Sequence, residues 1–268
     1  MNKKNIILLA IIIMLIVFIT FLSKKGKVSL KTQAVASASG LFETAKKADS
    51  KGDLLETKKA YQRILSTATD NKIITKAQSA LSDVNMRIIF SSLETDSTLV
   101  YEVLPKDSLQ KIANKFKTTV ALIKRSNNLS TDTIRPGQHL RLWKGKFSCI
   151  VDKSQNILTL KSDDEVVKVY RVATGKNNST PVGKFSITSK LENPVWYKQG
   201  AVVLPGSPDN ILGSRWLGFS LAGYGIHGTT DPQSIGRQVT AGCVRMSNSD
   251  VEELFDILPL GTEVTVID

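Results

Sequence analysis

The residues whose types could support nucleophilic chemistry in this chain are Cys243 and His227. The sequence holds two cysteines and two histidines. Cys149 sits in the apolar run KFSCIVD, where a cysteine serves as a small buried hydrophobe. His139 sits in the strand-like HLRLW and reads as structural. Cys243 and His227 instead lie in glycine-containing, loop-like stretches, TAGCVRM and YGIHGTT. Rigid scaffolds present reactive groups on such loops. A free thiol titrates near ~8.5 and is mostly protonated at neutral pH, and a neighbouring imidazole can take its proton. On residue types alone, a buried structural cysteine with an unrelated histidine stays open. A structural zinc site needs four Cys or His ligands, and this region offers two, so no metal is expected. Ser234 and Asp231 could be combined into a Ser-His-Asp set, but no nucleophile-elbow sequence surrounds Ser234.

The elements that must position this pair read as β-structure. From residue 147 onward, Ile150-Val151, Ile157 to Leu160, Val166 to Val172 and Phe185 to Thr188 form short apolar or alternating runs. Asp, Asn, Gly and Pro separate them. The pattern predicts a β-sandwich or a barrel-like sheet. One helix is predicted late, from the capping-box spacing of Ser249 and Glu252 followed by Val251, Leu254, Phe255 and Leu258. Pro259 and Gly261 stop it, and TEVTVI closes the chain as a strand.

Upstream the period is helical over 40–92. Ile73, Ala77, Leu81, Val84 and Ile88 share one face, as do Ala60 with Ile64 and Tyr61 with Leu65 and Ala68. A first short helix holds Leu41, Ala45 and Ala48, ended by Gly52. Ala48, Gly52, Asp53, Ala60 and Tyr61 resemble a tetratricopeptide-type helical pair, with too few copies for a solenoid.

Residues 99–143 predict strand, helix, helix, strand. Asp107 or Ser108 would cap the first helix, and Pro136-Gly137 would turn into the last strand. The pieces YEVLPKDSL, IANKF, TT, NNL and IRPGQHL resemble a LysM module. The resemblance implies binding of N-acetylglucosamine-containing glycan through the loops at Asp107, Ser108 and Leu109 and at Asn127 and Asn128. Lys106 stands at a turn position that is usually glycine in that family.

Residues 147–268 resemble the L,D-transpeptidase catalytic domain of the YkuD type. TPVGKFSI, ENPVW, LGSRWLGF, YGIHGT, SIG, TAGCVRM and LPLGTEVTVI match in order. The resemblance implies a mainly-β catalytic domain with Cys243 as nucleophile and His227 as base, and no cofactor. It implies oxyanion donors in the Cys243 and Gly242 N–H groups. Arg245, Thr240 and Gly228 are expected to hold the site loop or meet substrate. Ala241 replaces a second histidine that usually precedes the glycine. The implied reaction forms 3→3 peptidoglycan cross-links through a cysteine acyl-enzyme, with release of D-Ala. Water as acceptor would make the protein an L,D-carboxypeptidase, and a protein acceptor would make it a wall-attachment enzyme. A non-catalytic wall-binding scaffold is the rival class.

The remaining composition fits a wall enzyme. The net charge is +12, which suits an anionic envelope. No basic patch interleaved with aromatics reads as a nucleic-acid module. A disulfide scaffold needs more than two cysteines; one bridge is arithmetically open, but Cys149 and Cys243 sit in very different contexts. Residues 6–22 carry no charge and predict a transmembrane signal anchor at the short end of what spans a bilayer. Residues 1–5 then form a cytoplasmic tail and 23–39 a linker. The layout is a mixed multidomain chain of anchor, helical segment, LysM and catalytic domain, single-pass in the cell membrane with the catalytic domain extracytoplasmic.

Overall fold

The computed structural model describes residues 38–198 and 200–268. The expected tail and anchor, and the linker up to residue 37, lie outside the described residues. Residues 38 and 39, read as linker, are already helical. No described helix is long and apolar enough to cross a membrane. The chain divides into two compact units between Val84 and Asn85.

The first unit is helical: α1 (38–50), α2 (Leu54–Thr67) and α3 (Asn71–Phe90) up to Val84. Gly52, at φ +75°, makes the turn into α2. Asp53 caps that helix, its Oδ1 accepting from the Glu56 N–H at 3.0 Å. Ala38, Ile64 and Ala77 form a small core with Phe42 and Tyr61 packed against it.

The second unit begins with the last residues of α3, from Asn85, and continues into the LysM-like module. Strands β1 (Thr98–Glu102) and β2 (His139–Trp143) pair antiparallel, Thr98 opposite Trp143 and Glu102 opposite His139. Between them lie α4 (Leu109–Phe116) and α5 (Val120–Ser126), over a core that includes Leu109, Ile112, Ile123, Leu140 and Leu142. Ser108 and Thr119 supply the caps, accepting from the N–H groups of Lys111 and Leu122. Of the two expected caps for α4, Ser108 is used. Asp107 instead pins the preceding turn, its Oδ2 accepting from the Tyr101 hydroxyl at 2.8 Å and the Leu104 N–H at 2.9 Å.

Among its described residues, the remainder holds twelve strands and one α-helix: β3 (Phe147–Asp152), β4 (Ile157–Ser162), β5 (Glu165–Arg171), β6 (Thr174–Gly175), β7 (Gly183–Glu192), β8 (Trp196–Lys198), β9 (Ala201–Val203), β10 (Arg215–Phe219), β11 (Gly225–His227), β12 (Gln238–Thr240), β13 (Val244–Arg245), α6 (Asn248–Ile257) and β14 (Glu263–Ile267). Eight of these strands form one sheet, ordered β13-β11-β10-β7-β14-β3-β4-β5. The order is open at both ends, so the described strands close no barrel, and β7 serves both halves, its Gly183–Ser186 pairing with β14 and its Ile187–Glu192 with β10. Two small ribbons, β6 with β12 and β8 with β9, accompany it. Alternation explains the core: Phe147, Cys149 and Val151 of β3, Leu158 and Leu160 of β4, and Val264 and Val266 of β14 point inward. Val251, Leu254 and Ile257 of α6 are buried in turn. The cap of α6 is Ser247, not Ser249: Ser247 takes extended backbone and its Oγ accepts from the Asp250 N–H at 3.1 Å. The Ser-x-x-Asp box two residues upstream wins because Met246 is still held by the sheet through the His227 carbonyl.

The module and the sheet are tied within this unit. The Trp143 indole donates to Ser162 Oγ at 3.1 Å, and its ring stacks on Phe147. Arg125 pairs with Asp256 at 2.7 Å, and the Thr119 hydroxyl donates to the Asp256 carbonyl.

Candidate active site

His227 ends β11 and Cys243 immediately precedes β13. These two strands pair in parallel, Ile226 opposite Val244 and His227 opposite Arg245. The pairing brings two loops that are distant in sequence to the same sheet edge. Both residues line one cavity of about 510 Å³, with Trp196, Ile211, Trp216 and Arg245 among its other walls.

His227 is buried, and its Nδ1 lies 2.7 Å from the Gly228 carbonyl. A carbonyl can only accept, so Nδ1 carries the proton and Nε2 keeps its lone pair. The imidazole stacks on Trp216, ring centroids 6.0 Å apart. Burial pushes the His227 pKa down to about 4. The Gly228 and Ile211 carbonyls, which favour the protonated ring, oppose this, and the Arg245 charge adds to it. The ring is therefore neutral at ordinary pH.

Cys243 is partly exposed, and its thiol donates to the Gly223 carbonyl at 3.5 Å. Burial raises its pKa, while the Gly225 N–H and the Arg245 charge work the other way. The resting pair is thus thiol and neutral imidazole, not an ion pair. Cys149 is the inert contrast: burial pushes its thiol up to about 12.

The loop before Cys243 is shaped by Thr240. Its Oγ1 accepts from the Gly242 N–H at 3.2 Å and donates to the Cys243 carbonyl at 2.7 Å. Thr240 is buried and acts on the backbone of the loop. Of the two expected oxyanion amides, that of Gly242 is already engaged, and that of Cys243 is the one Thr240 does not hold. Gly242 has φ +138°, and a Cβ there would sit 2.7 Å from the Tyr224 ring and 3.2 Å from the Ser179 carbonyl. The positive φ and these two neighbours require glycine here.

Arg245 reaches back from β13. Its Nη1 donates to Ser234 Oγ at 3.0 Å and lies 3.8 Å from Asp231 Oδ2. Its Nε is buried without a hydrogen-bond partner among the described residues. Ser234 and Asp231 thus support the arginine rather than forming a serine triad. Ala241 is exposed at the cavity edge.

Comparison with known proteins bears on this arrangement. The L,D-transpeptidase catalytic domain family matches residues 146–266, and the LysM domain family matches 101–143. YkuD of Bacillus subtilis, itself named as an L,D-transpeptidase, is 35% identical over 175 residues, spanning 63% of this chain and 98% of that protein. The chain belongs to the L,D-transpeptidase family. YqjB of the same organism, named likewise, is 47% identical over 125 residues, covering 44% of this chain and 70% of its own. An L,D-transpeptidase from Mycobacterium smegmatis superposes with a TM-score of 0.40 at 19% identity, over 49% of this chain and 64% of that one.

As an L,D-transpeptidase-family chain with a LysM domain, this protein is directed to peptidoglycan. Within the LysM domain, the five expected glycan contacts part company. Leu109 is 2% exposed and belongs to the core. Asn127 is spent on the fold: its Oδ1 accepts from the Arg141 N–H at 2.7 Å, and its Nδ2 donates to the Arg141 and Ile123 carbonyls, each at 2.8 Å. Asp107 is half-committed to the turn, and only Ser108 and Asn128 are exposed. In the catalytic domain, Gly228 also proves architectural: its carbonyl orients His227, and a Cβ on it would strike Asn248 Oδ1. Trp216, Ile211 and Trp196 enter the site without a chemical signature in the sequence, because aromatic and aliphatic residues read there as core.

Proposed function

We propose that this chain is a peptidoglycan L,D-transpeptidase in which Cys243 is the nucleophile and His227 the general base. The observation that carries the reading is the placement of a thiol and a neutral imidazole, from paired parallel strands, on one cavity. The donor is a stem tetrapeptide whose third residue is a diamino acid and whose fourth is D-Ala. His227 Nε2 takes the thiol proton as Cys243 Sγ attacks the carbonyl of the third residue. The Cys243 N–H stabilises the oxyanion, an interaction worth ~2.7–4 kcal/mol per donor. Gly242 becomes a second donor only if its N–H leaves Thr240. Collapse of the tetrahedral centre expels D-Ala, whose amine takes the proton from the imidazolium. A stem amine then attacks the thioester, forms the 3→3 bond, and returns a proton through His227 to the thiolate. Arg245, which lines the same cavity, suits a substrate carboxylate or carbonyl.

The other domains fit this chemistry. LysM, at 99–143, holds glycan through the loops carrying Ser108 and Asn128. The charge-free run 6–22 anchors the chain, the catalytic domain at 147–268 works outside the membrane, and the helical segment 40–92 spaces the two. Tethering raises the local concentration of substrate without a new contact at the cysteine.

The test is intact-mass analysis of the protein with a disaccharide-tetrapeptide donor, wild type beside Cys243→Ala. An adduct on wild type alone, with D-Ala released, is expected. Adding an acceptor stem, water alone or a protein amine then separates transpeptidase, carboxypeptidase and wall-attachment activities. Folded protein that binds glycan but forms no adduct would establish the scaffold reading instead.

A further inference from the structure

Asn248 is the first residue of α6, and its side chain points back toward the catalytic loops. Its Oδ1 accepts from the Thr229 N–H at 2.9 Å and from the Ser214 N–H at 3.2 Å. Both partners are donors, which fixes the orientation of the amide. Two glycines make room for it: a Cβ on Gly213 would lie 2.2 Å, and one on Gly228 2.1 Å, from that oxygen. The side chain is wedged between the loop entering β10 and the loop leaving β11.

The Thr229 N–H and the Gly228 carbonyl belong to one peptide group. At one end, that group donates to Asn248; at the other, it accepts from His227 Nδ1 at 2.7 Å. A peptide group is planar, so fixing its N–H fixes the direction of its carbonyl. Hydrogen bonds in series polarise one another, so the Asn248 contact also makes that carbonyl a better acceptor.

We propose that Asn248 is a positioning residue for His227, acting through the Gly228–Thr229 peptide as the last member of a Cys-His-peptide-Asn relay. It locks the imidazole in the tautomer that leaves Nε2 free to take the thiol proton. A nucleophile's base is commonly oriented by a third group. Here the backbone stands between the two. The same oxygen holds Ser214 and so also fixes the loop that carries Ile211 into the cavity wall. The proposal rests on the Cys243–His227 reading given above. Other groups facing the imidazole are Arg245 across the strand pair, with Asp231 behind it, and Cys243 itself.

The experiment compares wild type, Asn248→Ala and Asn248→Asp as full chains. One readout is the second-order rate of Cys243 acylation by a carbapenem, taken across pH. The other is the His227 ring in nitrogen-15 NMR. Wild type is expected to show one Nδ1–H tautomer. Asn248→Ala is expected to show mixed tautomers and acylation slower by up to about 100-fold, the scale of a catalytic group displaced by an ångström. Asn248→Asp keeps both acceptor bonds. It is expected to recover most of the rate, with the acidic limb of its pH profile moved upward by the added negative charge. A ring spectrum and pH profile unchanged in both variants would overturn the proposal, even if rates fell with the folded fraction. If Asn248→Ala does not fold, the acidic limb of Asn248→Asp decides alone, and an unmoved limb refutes it. Absence of acylation in wild type would refute the nucleophile assignment, while the ring spectrum would still report on the relay.

Discussion

Thr240 grips the backbone of Cys243: its hydroxyl donates to the Cys243 carbonyl at 2.7 Å while accepting from the Gly242 N–H at 3.2 Å. The side chain fixes the loop at both ends of the Gly242–Cys243 step. Thr240→Val keeps the shape but removes both bonds, leaving a buried carbonyl and amide unsatisfied. It should cost about 1–3 kcal/mol of stability and slow Cys243 acylation. Thr240→Ser keeps the hydroxyl and should restore most of both. Thermal melts and acylation rates of the two variants check this; equal losses in both would show that the methyl, not the hydroxyl, matters.

Ala241 stands exposed at the cavity edge, one residue before Gly242. The family commonly places a histidine there. An imidazole at that position would add a donor near the developing oxyanion without entering the core. Ala241→His is expected to raise turnover on a tetrapeptide donor, with the adduct still on Cys243. An equal or lower turnover would show that this chain's loop is complete without it.

His227 predicts a specific pH dependence. Burial holds its pKa at about 4, below the ordinary 6.5. Between these values the unfolded chain binds a proton that the folded chain refuses, so stability rises with pH across that window. The contribution is complete above about pH 6.5 and is lost as pH falls toward 4, by about 3 kcal/mol at most. His227→Gln removes this titration. Denaturant melts of both proteins between pH 4 and 7 should therefore differ in slope, wild type losing more on acidification. Parallel slopes would mean the imidazole is not buried neutral.

Lys106 has φ +72° on the turn before α4. Only glycine takes that conformation without penalty, and other residues lose about 1–2 kcal/mol there. The Lys106 carbonyl, which accepts from Lys111 Nζ at 3.0 Å, stays available whatever the side chain. Lys106→Gly should stabilise the LysM domain by up to about 1 kcal/mol, less the entropy glycine adds to the unfolded chain. Calorimetry on the two proteins tests it, and glycan binding measured alongside shows whether the lysine was kept for its charge.

The sequence singled out Cys243 and His227 because cysteine and histidine are few and both lie among glycines, and the structure puts the two on one cavity. Helix periods in 40–126 and the alternation of β3, β4 and β14 were equally readable, since burial imposes them directly. Three things were not. Sheet closure depends on strand order, which alternation does not encode. The cap of α6 fell to Ser247 because the sheet holds Met246, a long-range constraint. The inward turn of Leu109 and Asn127 follows from packing in the LysM domain, where a polar residue in a loop looks free until its partners, the Arg141 backbone above all, are placed.

Arg141 supplies the last prediction. It is 4% exposed, yet it carries a charge, and burial lowers its pKa to about 10. Its guanidinium donates to three carbonyls at the end of α3 and just beyond: Ile89 at 2.7 Å, Leu93 at 2.9 Å and Ile88 at 3.1 Å. Helix C-termini leave such carbonyls orphaned, and a planar fork of donors satisfies them where one ammonium cannot. The arginine thereby fastens β2 to residues 88–93. Arg141→Met fills similar space but takes this donor from the Ile89 and Leu93 carbonyls, while the Ile88 carbonyl keeps Ser91, so a loss of about 2 kcal/mol or more is expected. Arg141→Lys should recover only part, since its single nitrogen reaches fewer acceptors. Limited proteolysis should cut Arg141→Met between residues 88 and 97 before the catalytic domain is touched. Unchanged melting and cleavage in Arg141→Met would show that packing alone, without the charged fork, holds this end of α3 to the LysM domain.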